Sequence, residues 1–223
     1  MNRLVRRALA AGGIMLAVPL ALMLPEKFAP AADHLDPPTR TDPALDKTPD
    51  TPADIADVYV WYTATKLIVA VTFAGPQSPS LPAVYDRDVL YTLNIGNGIP
   101  KSNPTFSINF RFGADTSGGT PQYGVEVTGL PGVDGALVGP VETNLVKDGV
   151  IVRAGLFDDP FFFDSQGLKT SRSTGVLSFD KNRNFFANEN LTAVVFEIPR
   201  ERVTNGSNPL GLWATSARFG GQL

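Results

Sequence analysis

The acidic side chains that could do chemistry in this sequence fall into two groups. The first group lies near the start of the chain and consists of Asp33, His34, Asp36, Asp54 and Asp57. Ca²⁺ accepts many carboxylate, carbonyl and water oxygens without strict spacing, so this group predicts a calcium ion that stabilises the fold. The spacing is not that of an EF-hand loop, and one histidine without cysteine is too little for a structural zinc site. The alternative is that these aspartates cap turns and keep the segment soluble.

The second group is Asp158, Asp159 and Asp164, in the string GLFDDPFFFD. Two interpretations are open for this string. Its three phenylalanines, Phe161–Phe163, either anchor a loop in the core or form an exposed aromatic platform for a sugar or a partner. Buried aromatic residues are the commoner case, so we predict an anchor. Two of these carboxylates, or one of them with Glu197, could also act as a glycosidase pair, although Asp-Asp-Pro is ordinary turn chemistry.

Other catalytic chemistry has little support. His34 is the only histidine, there is no cysteine, and no G-x-S-x-G spacing is present to supply a nucleophile. Haem is disfavoured as well, because the three methionines Met1, Met15 and Met23 all lie in the N-terminal leader. We therefore predict no catalytic residue, and a protein that is more plausibly not an enzyme.

The start of the chain has the pattern of a secretory signal peptide over residues 1–31. Met1–Arg7 is basic, Ala8–Leu24 is apolar, and Ala29–Ala31 offers small residues before a cleavage point. An uncleaved membrane anchor is the alternative, but two glycines and a proline weaken the apolar stretch as a permanent helix. The sequence thus predicts export to the periplasm or the extracellular space, with no stable membrane span after cleavage.

The charge balance argues against nucleic acid as a partner. The net charge is −3, and loss of the basic leader makes the remaining chain more acidic. Binding to DNA or RNA needs clustered Lys and Arg to displace counterions. A protein or carbohydrate partner is therefore expected instead.

Proline and aspartate dominate residues 32–56, which predicts an extended acidic arm. Residues 57–223 then form a single domain. Thr105–Phe112 alternates apolar and polar residues with the period of a half-buried strand, and Val58–Thr63 followed by Lys66–Phe73 predicts a hairpin with an apolar second strand. With similar segments elsewhere, we predict an all-β sandwich of roughly eight to ten strands with long loops.

Helix is expected to be scarce in this domain. The best candidate is a short one around Pro199–Thr204, and no helix longer than a turn or two is predicted. Asp158–Asn190 is expected to be a large ordered loop, which in a compact domain tends to be functional. The aromatic residues Tyr59, Trp61, Tyr62 and Trp213 are expected in the core.

Four strings stand out in combination. They are, in chain order, Asp33–Pro38 (DHLDPP), Ala53–Tyr59 (ADIADVY), Gly155–Phe162 (GLFDDPFF) and Thr192–Pro199 (TAVVFEIP). Together they resemble an exported bacterial family catalogued as domain of unknown function 4331. The resemblance implies an extracytoplasmic bacterial β protein with no established activity.

Three functional hypotheses follow. The first is an exported, non-catalytic β-sandwich that binds a ligand or partner. The second is an exported carbohydrate-active hydrolase that uses the acids of the 158–164 loop. The third is a structural component of the cell envelope or of an extracellular assembly, joined through an edge strand.

Overall fold

The computed structural model describes residues 37–40 and 47–219. The predicted leader and three of the predicted calcium ligands (Asp33, His34 and Asp36) lie outside the described residues. Residues 34–223 form one compact unit, which contains both partners of every strand pair.

Two antiparallel sheets make up the fold, each with five strands. The strands in chain order are β1 (Ile55–Tyr62), β2 (Lys66–Gln77), β3 (Val89–Gly96), β4 (Phe106–Asp115), β5 (Gln122–Thr128), β6 (Leu137–Pro140), β7 (Leu145–Lys147), β8 (Val150–Asp158), β9 (Asn190–Pro199) and β10 (Gly211–Arg218). The first sheet has the order β1-β2-β9-β8-β7 and the second has the order β10-β3-β4-β5-β6. The predicted all-β sandwich is confirmed.

Strand alternation directs apolar side chains from both sheets into one core. On β4, Ile108, Phe110 and Phe112 are buried whereas the intervening Arg111 is exposed, which confirms the predicted period of two. Tyr91 of β3 stacks on Phe110 at a ring-centroid distance of 5.1 Å. The two sheets therefore close over an aromatic centre.

Strand β2 lies between β1 and β9 and is buried on both faces, as its composition predicts. The backbone amide of Thr63 donates to the carbonyl of Lys66 and closes the predicted hairpin between β1 and β2. At the end of edge strand β1, however, Trp61 is 47% exposed and Tyr62 is 71% exposed. Their prediction as core residues is wrong, because an edge strand leaves its last side chains without a neighbouring strand to cover them.

A ten-residue helix, α1 (Ser165–Thr174), lies between β8 and β9. The prediction that no helix exceeds a turn or two is therefore wrong. The helix is almost entirely polar, so it has no apolar periodicity to reveal it. Its ends do carry signals: Asp164 caps the N-terminus through the amide of Gly167, and Gly175 ends the helix with a φ of 72°.

The described residues also contain two short 3-10 turns, at Thr51–Ala53 and at Arg200–Arg202. The second lies within the short helix predicted around Pro199–Thr204. None of the described helices has both the length and the apolar character needed to cross a membrane.

The described part of the N-terminal arm doubles back on itself before β1. Thr39 and Pro49 form an antiparallel bridge, and the amide of Asp50 donates to the carbonyl of Pro38 at 2.8 Å. The arm then joins the second sheet, since Ser216 of β10 donates to the carbonyl of Ala53 at 2.6 Å. This part of the arm is thus an integral part of the sandwich.

Candidate functional site

An open groove of about 1320 Å³ crosses the second sheet near one end of its strands. All five strands of that sheet contribute residues, so the groove runs across the strands, over roughly 19 Å at a strand spacing of ~4.8 Å. We call it the cross-strand groove. Its lining includes Leu90, Arg111, Gly113, Tyr123, Gly124, Glu126, Val138 and Phe219.

The floor of the cross-strand groove is formed by two glycines that face each other in register, Gly113 on β4 and Gly124 on β5. Because Phe112 and Val125 point into the core, these neighbouring glycines lie on the outer face. A Cβ atom at Gly113 would meet nothing within 4 Å, whereas one at Gly124 would lie 3.1 Å from the carbonyl oxygen of Gly139. Bare backbone therefore forms the floor, and Gly113 leaves open space.

A charged pair borders this floor. Arg111 and Glu126 are register partners on β4 and β5, with 3.1 Å between a guanidinium nitrogen and a carboxylate oxygen. Their side chains are 59% and 38% exposed, so both keep free hydrogen-bonding capacity toward water or a ligand. Leu90 and the 66% exposed Val138 add apolar surface on either side. The groove combines donors, acceptors and apolar contacts.

Aromatic residues also line the groove. Phe219 is 86% exposed and Tyr123 is 40% exposed. Tyr85 supports Tyr123, with 5.2 Å between the ring centroids, and donates its hydroxyl to Glu142 at 3.2 Å. Burial raises the pKa of Tyr85, and the negative charge of Glu142 raises it further, so the hydroxyl remains a donor.

The acidic residue at the groove end, Asp115, is not prepared for general acid catalysis. Hydrogen bonds from Ser117 lower the pKa of its carboxyl group. A general acid needs the opposite shift, toward the operating pH.

The predicted ligand-loop residue Asp164 has a structural position. It is buried, and its two oxygens accept from the amides of Gly167 and Asp180, each at 2.8 Å. The guanidinium of Arg183 donates to both oxygens as well, at 2.6 and 2.8 Å. These bonds, led by that of Arg183, hold the pKa of Asp164 well below its usual range. Asp164 thus joins the start of α1 to the segment that follows it.

The other two residues of this group do not line the cross-strand groove. Asp159 is buried and accepts from the amide of Phe161 at 2.9 Å, whereas Asp158 is exposed at the end of β8, opposite Asn190. Glu197 lies further along the strand that begins with Asn190, roughly 23 Å away at ~3.3 Å per residue. Glycosidase carboxyls lie less than about 10 Å apart. The structure therefore does not bring Asp158 and Glu197 together as such a pair.

The predicted calcium residues that are described lie at the junction of arm and sandwich. Asp54 is buried, and Asp57 accepts from the hydroxyl of Tyr59 at 2.8 Å. Burial raises the pKa of Tyr59, and Asp57 and Asp159 add to the shift through their charges, so residues from both acidic groups lie near this tyrosine. Among the described residues, no group of three or more metal-capable side chains converges. The calcium site, whose remaining ligands lie outside these residues, stays a prediction.

The three phenylalanines of the loop divide between the two interpretations. The rings of Phe161 and Phe163 stack at 6.0 Å, and Phe161 contacts the buried Phe186 at 5.1 Å. Phe162 between them is 54% exposed. Two rings therefore anchor the loop, and one faces water.

Sequence reasoning missed an ion-pair cluster that fixes the arm to the last strand. Arg218 of β10 donates to both oxygens of Asp50, and also to Asp86 at 2.9 Å. Only 9% of the Arg218 side chain and 4% of the Asp50 side chain are exposed. The two residues are 168 positions apart, so no local pattern could reveal the pair.

The sequence contains one local sign of the groove, namely Arg111, which alternation places on the outer face of β4. The pairing of Gly113 with Gly124 depends on strand register, which alternation alone does not determine.

Comparison with known proteins adds no relative: no family model matches the chain, and neither a curated protein nor a solved structure is significantly similar to it. The resemblance to domain of unknown function 4331 stays a prediction.

Proposed function

We propose that this protein is an exported, non-catalytic binding module that holds an elongated carbohydrate chain in the cross-strand groove. Export is supported by the basic and apolar leader pattern of residues 1–31. The observation that carries the binding proposal is the facing pair Gly113 and Gly124, which leaves the outer face of two neighbouring strands without side chains at this point.

A carbohydrate suits the chemistry of this surface. Sugar hydroxyls both donate and accept, and the pair Arg111 and Glu126 offers both functions next to the glycine floor. The exposed ring of Phe219 provides flat apolar surface for the face of a sugar ring.

The shape of the groove favours a chain over a single sugar. Residues from all five strands, β10 through β6, line it. An elongated ligand can therefore cross the sheet and leave at both edges. Binding without chemistry agrees with the lowered pKa of Asp115.

The proposal is tested by introducing a side chain into the groove at Gly113. Gly113→Leu places a side chain where a Cβ meets no atom within 4 Å, so the fold should tolerate it. Binding of soluble polysaccharides of varied composition, measured by affinity electrophoresis and calorimetry, should weaken at least roughly tenfold, because the new side chain blocks contacts worth ~1.4 kcal/mol or more.

A matched control is Gly98→Leu, since a Cβ at Gly98 also meets no atom within 4 Å and this residue does not line the groove. It should bind as the wild type does. Equal binding by Gly113→Leu and Gly98→Leu would remove the groove as the binding site. Failure of the wild type to bind any polysaccharide in a broad panel would contradict the carbohydrate proposal itself.

A further inference from the structure

A second surface carries large apolar side chains into solvent, on the segment between β8 and β9 (residues 159–189), which we call the excursion loop. The exposed fractions are 54% for Phe162, 65% for Val176, 84% for Leu177, 53% for Phe179 and 53% for Phe185. Single exposed apolar residues are common on protein surfaces, but several within one segment indicate an interaction site. This surface is separate from the cross-strand groove, whose lining includes none of these residues.

The excursion loop is well ordered from within. Its interior is held by the buried Asp164, which binds Arg183 and the amides of Gly167 and Asp180. Ser171 adds a second fixed point, because its hydroxyl accepts from the amide of Ser178 at 2.9 Å. Both sets of bonds bracket residues 172–177. The exposed Val176 and Leu177 are thus presented on a built turn rather than on a frayed end.

The charge around this turn is opposite in sign to that of the whole chain. Lys169, Arg172 and Lys181 are exposed, and Asp180 is the only acidic residue from 165 to 183. The net charge of the complete sequence is −3. With Arg183, residues 165–183 thus contain four basic residues and one acidic residue, a net positive segment in an otherwise acidic protein.

This combination matches an anionic lipid surface. Apolar side chains on a surface element bury themselves at the boundary between headgroups and acyl chains, while Lys and Arg stay beside the lipid phosphates. We propose that the excursion loop docks the protein peripherally on anionic membranes, with Val176 and Leu177 entering the headgroup region and Lys169, Arg172 and Lys181 contacting phosphates.

The experiment uses residues 32–223, the chain without the predicted leader, so that the apolar leader does not bind lipid itself. Sedimentation with vesicles of phosphatidylcholine alone is compared with sedimentation with vesicles that also contain phosphatidylglycerol. We expect binding to the anionic vesicles only. Val176→Ser/Leu177→Ser should weaken it by on the order of tenfold or more, from the loss of buried apolar area. Lys169→Ala/Lys181→Ala should weaken it about fivefold per charge removed.

The matched control is Ile99→Ser, which removes an equally exposed apolar side chain (87% against 84% for Leu177) outside the excursion loop. It should bind like the wild type, and all variants should keep the wild-type thermal midpoint. Absence of wild-type binding to anionic vesicles, or equal loss with Ile99→Ser, would overturn the proposal. Self-association in light scattering that Leu177→Ser abolishes, without vesicle binding, would assign this surface to a second copy of the chain and equally overturn it. Polysaccharide binding is measured separately, so failure here leaves the groove unaffected.

Discussion

Arg218 joins the end of the last strand to the N-terminal arm through Asp50, and both side chains are buried. Removing the guanidinium in Arg218→Met would leave the charge of Asp50 in the interior without its cation. Loss of one partner of a buried pair typically costs about 3–5 kcal/mol. We expect the free energy of unfolding to fall by about that amount, measured by urea denaturation followed by circular dichroism.

The matched control is Arg153→Met. Arg153 contacts Glu142 at 3.4 Å with side chains 40% and 47% exposed, and such surface pairs contribute about 1 kcal/mol or less. The double variant Asp50→Asn/Arg218→Met should recover part of the loss, since the buried carboxylate is then neutralised. If Arg218→Met were no more destabilising than Arg153→Met, the ion pair would not hold the arm.

The roles of single acidic residues could be predicted only in part. Asp50 and Asp54 belong to a segment that reads as solvated, yet both are buried. Asp164 is a candidate ligand residue by sequence, and in the structure it forms a buried ion pair with Arg183. Burial of a charge depends on partners that are distant in sequence, and local composition does not contain that information.

At the scale of elements, Asp164 should determine the order of the excursion loop. Asp164→Asn keeps an oxygen for the cap of α1 but removes the charge that faces Arg183. Hydrogen bonds to an ionised partner are stronger than neutral ones, so amides of residues 165–183 should exchange with solvent faster, by on the order of tenfold. Hydrogen exchange read by mass spectrometry measures this, while strands β2 and β9 should be unchanged.

The control for that experiment is Asp158→Asn, because Asp158 is exposed at the end of β8. It should leave exchange in the excursion loop at the wild-type rate. Faster exchange throughout the sandwich in Asp164→Asn would mean that the loop and the sheets unfold as one unit, which would contradict a local role.

Elements with apolar periodicity were predictable, and the polar helix was not. The alternation in β4 and the apolar character of β2 are direct consequences of which faces they bury. Helix α1 buries only Gly167 and so lacks an apolar face. Its caps, Asp164 and Gly175, were the only local evidence for it.

For the whole molecule, strand number and class follow from the sequence, but strand order and register do not. The cross-strand groove requires β4 to lie beside β5 with Gly113 opposite Gly124. A shift of one residue in the register of either strand would turn its glycine to the opposite face of the sheet from the other glycine. The groove is therefore a property of assembly, which no single segment specifies.

The change in stability at acid pH depends on two buried or partly buried carboxyl groups, those of Asp86 and Asp164. Partial burial works to raise the pKa of Asp86, but hydrogen bonds from the amide of Asp88 and from Arg218 lower it overall, and the bonds of Arg183 lower the pKa of Asp164. The unfolded chain has ordinary aspartate pKa values of about 3.9. As the pH falls, the unfolded state therefore binds more protons than the folded state does. The stabilisation from these two carboxylates is complete well above pH ~4 and is lost as the pH drops through their lower pKa values in the folded state.

We therefore expect the thermal midpoint, measured by calorimetry, to change little with pH near neutrality, where both carboxyl groups are ionised. At pH values below about 4 the midpoint should decrease. Asp86→Asn/Asp164→Asn removes both carboxyl groups, so it should melt at a lower temperature than the wild type at neutral pH and show a shallower decline in acid. The two midpoint curves should converge as the pH falls, because protonation removes from the wild type the same charges that the variant lacks. Parallel curves across this range would mean that neither carboxylate contributes to stability through its charge.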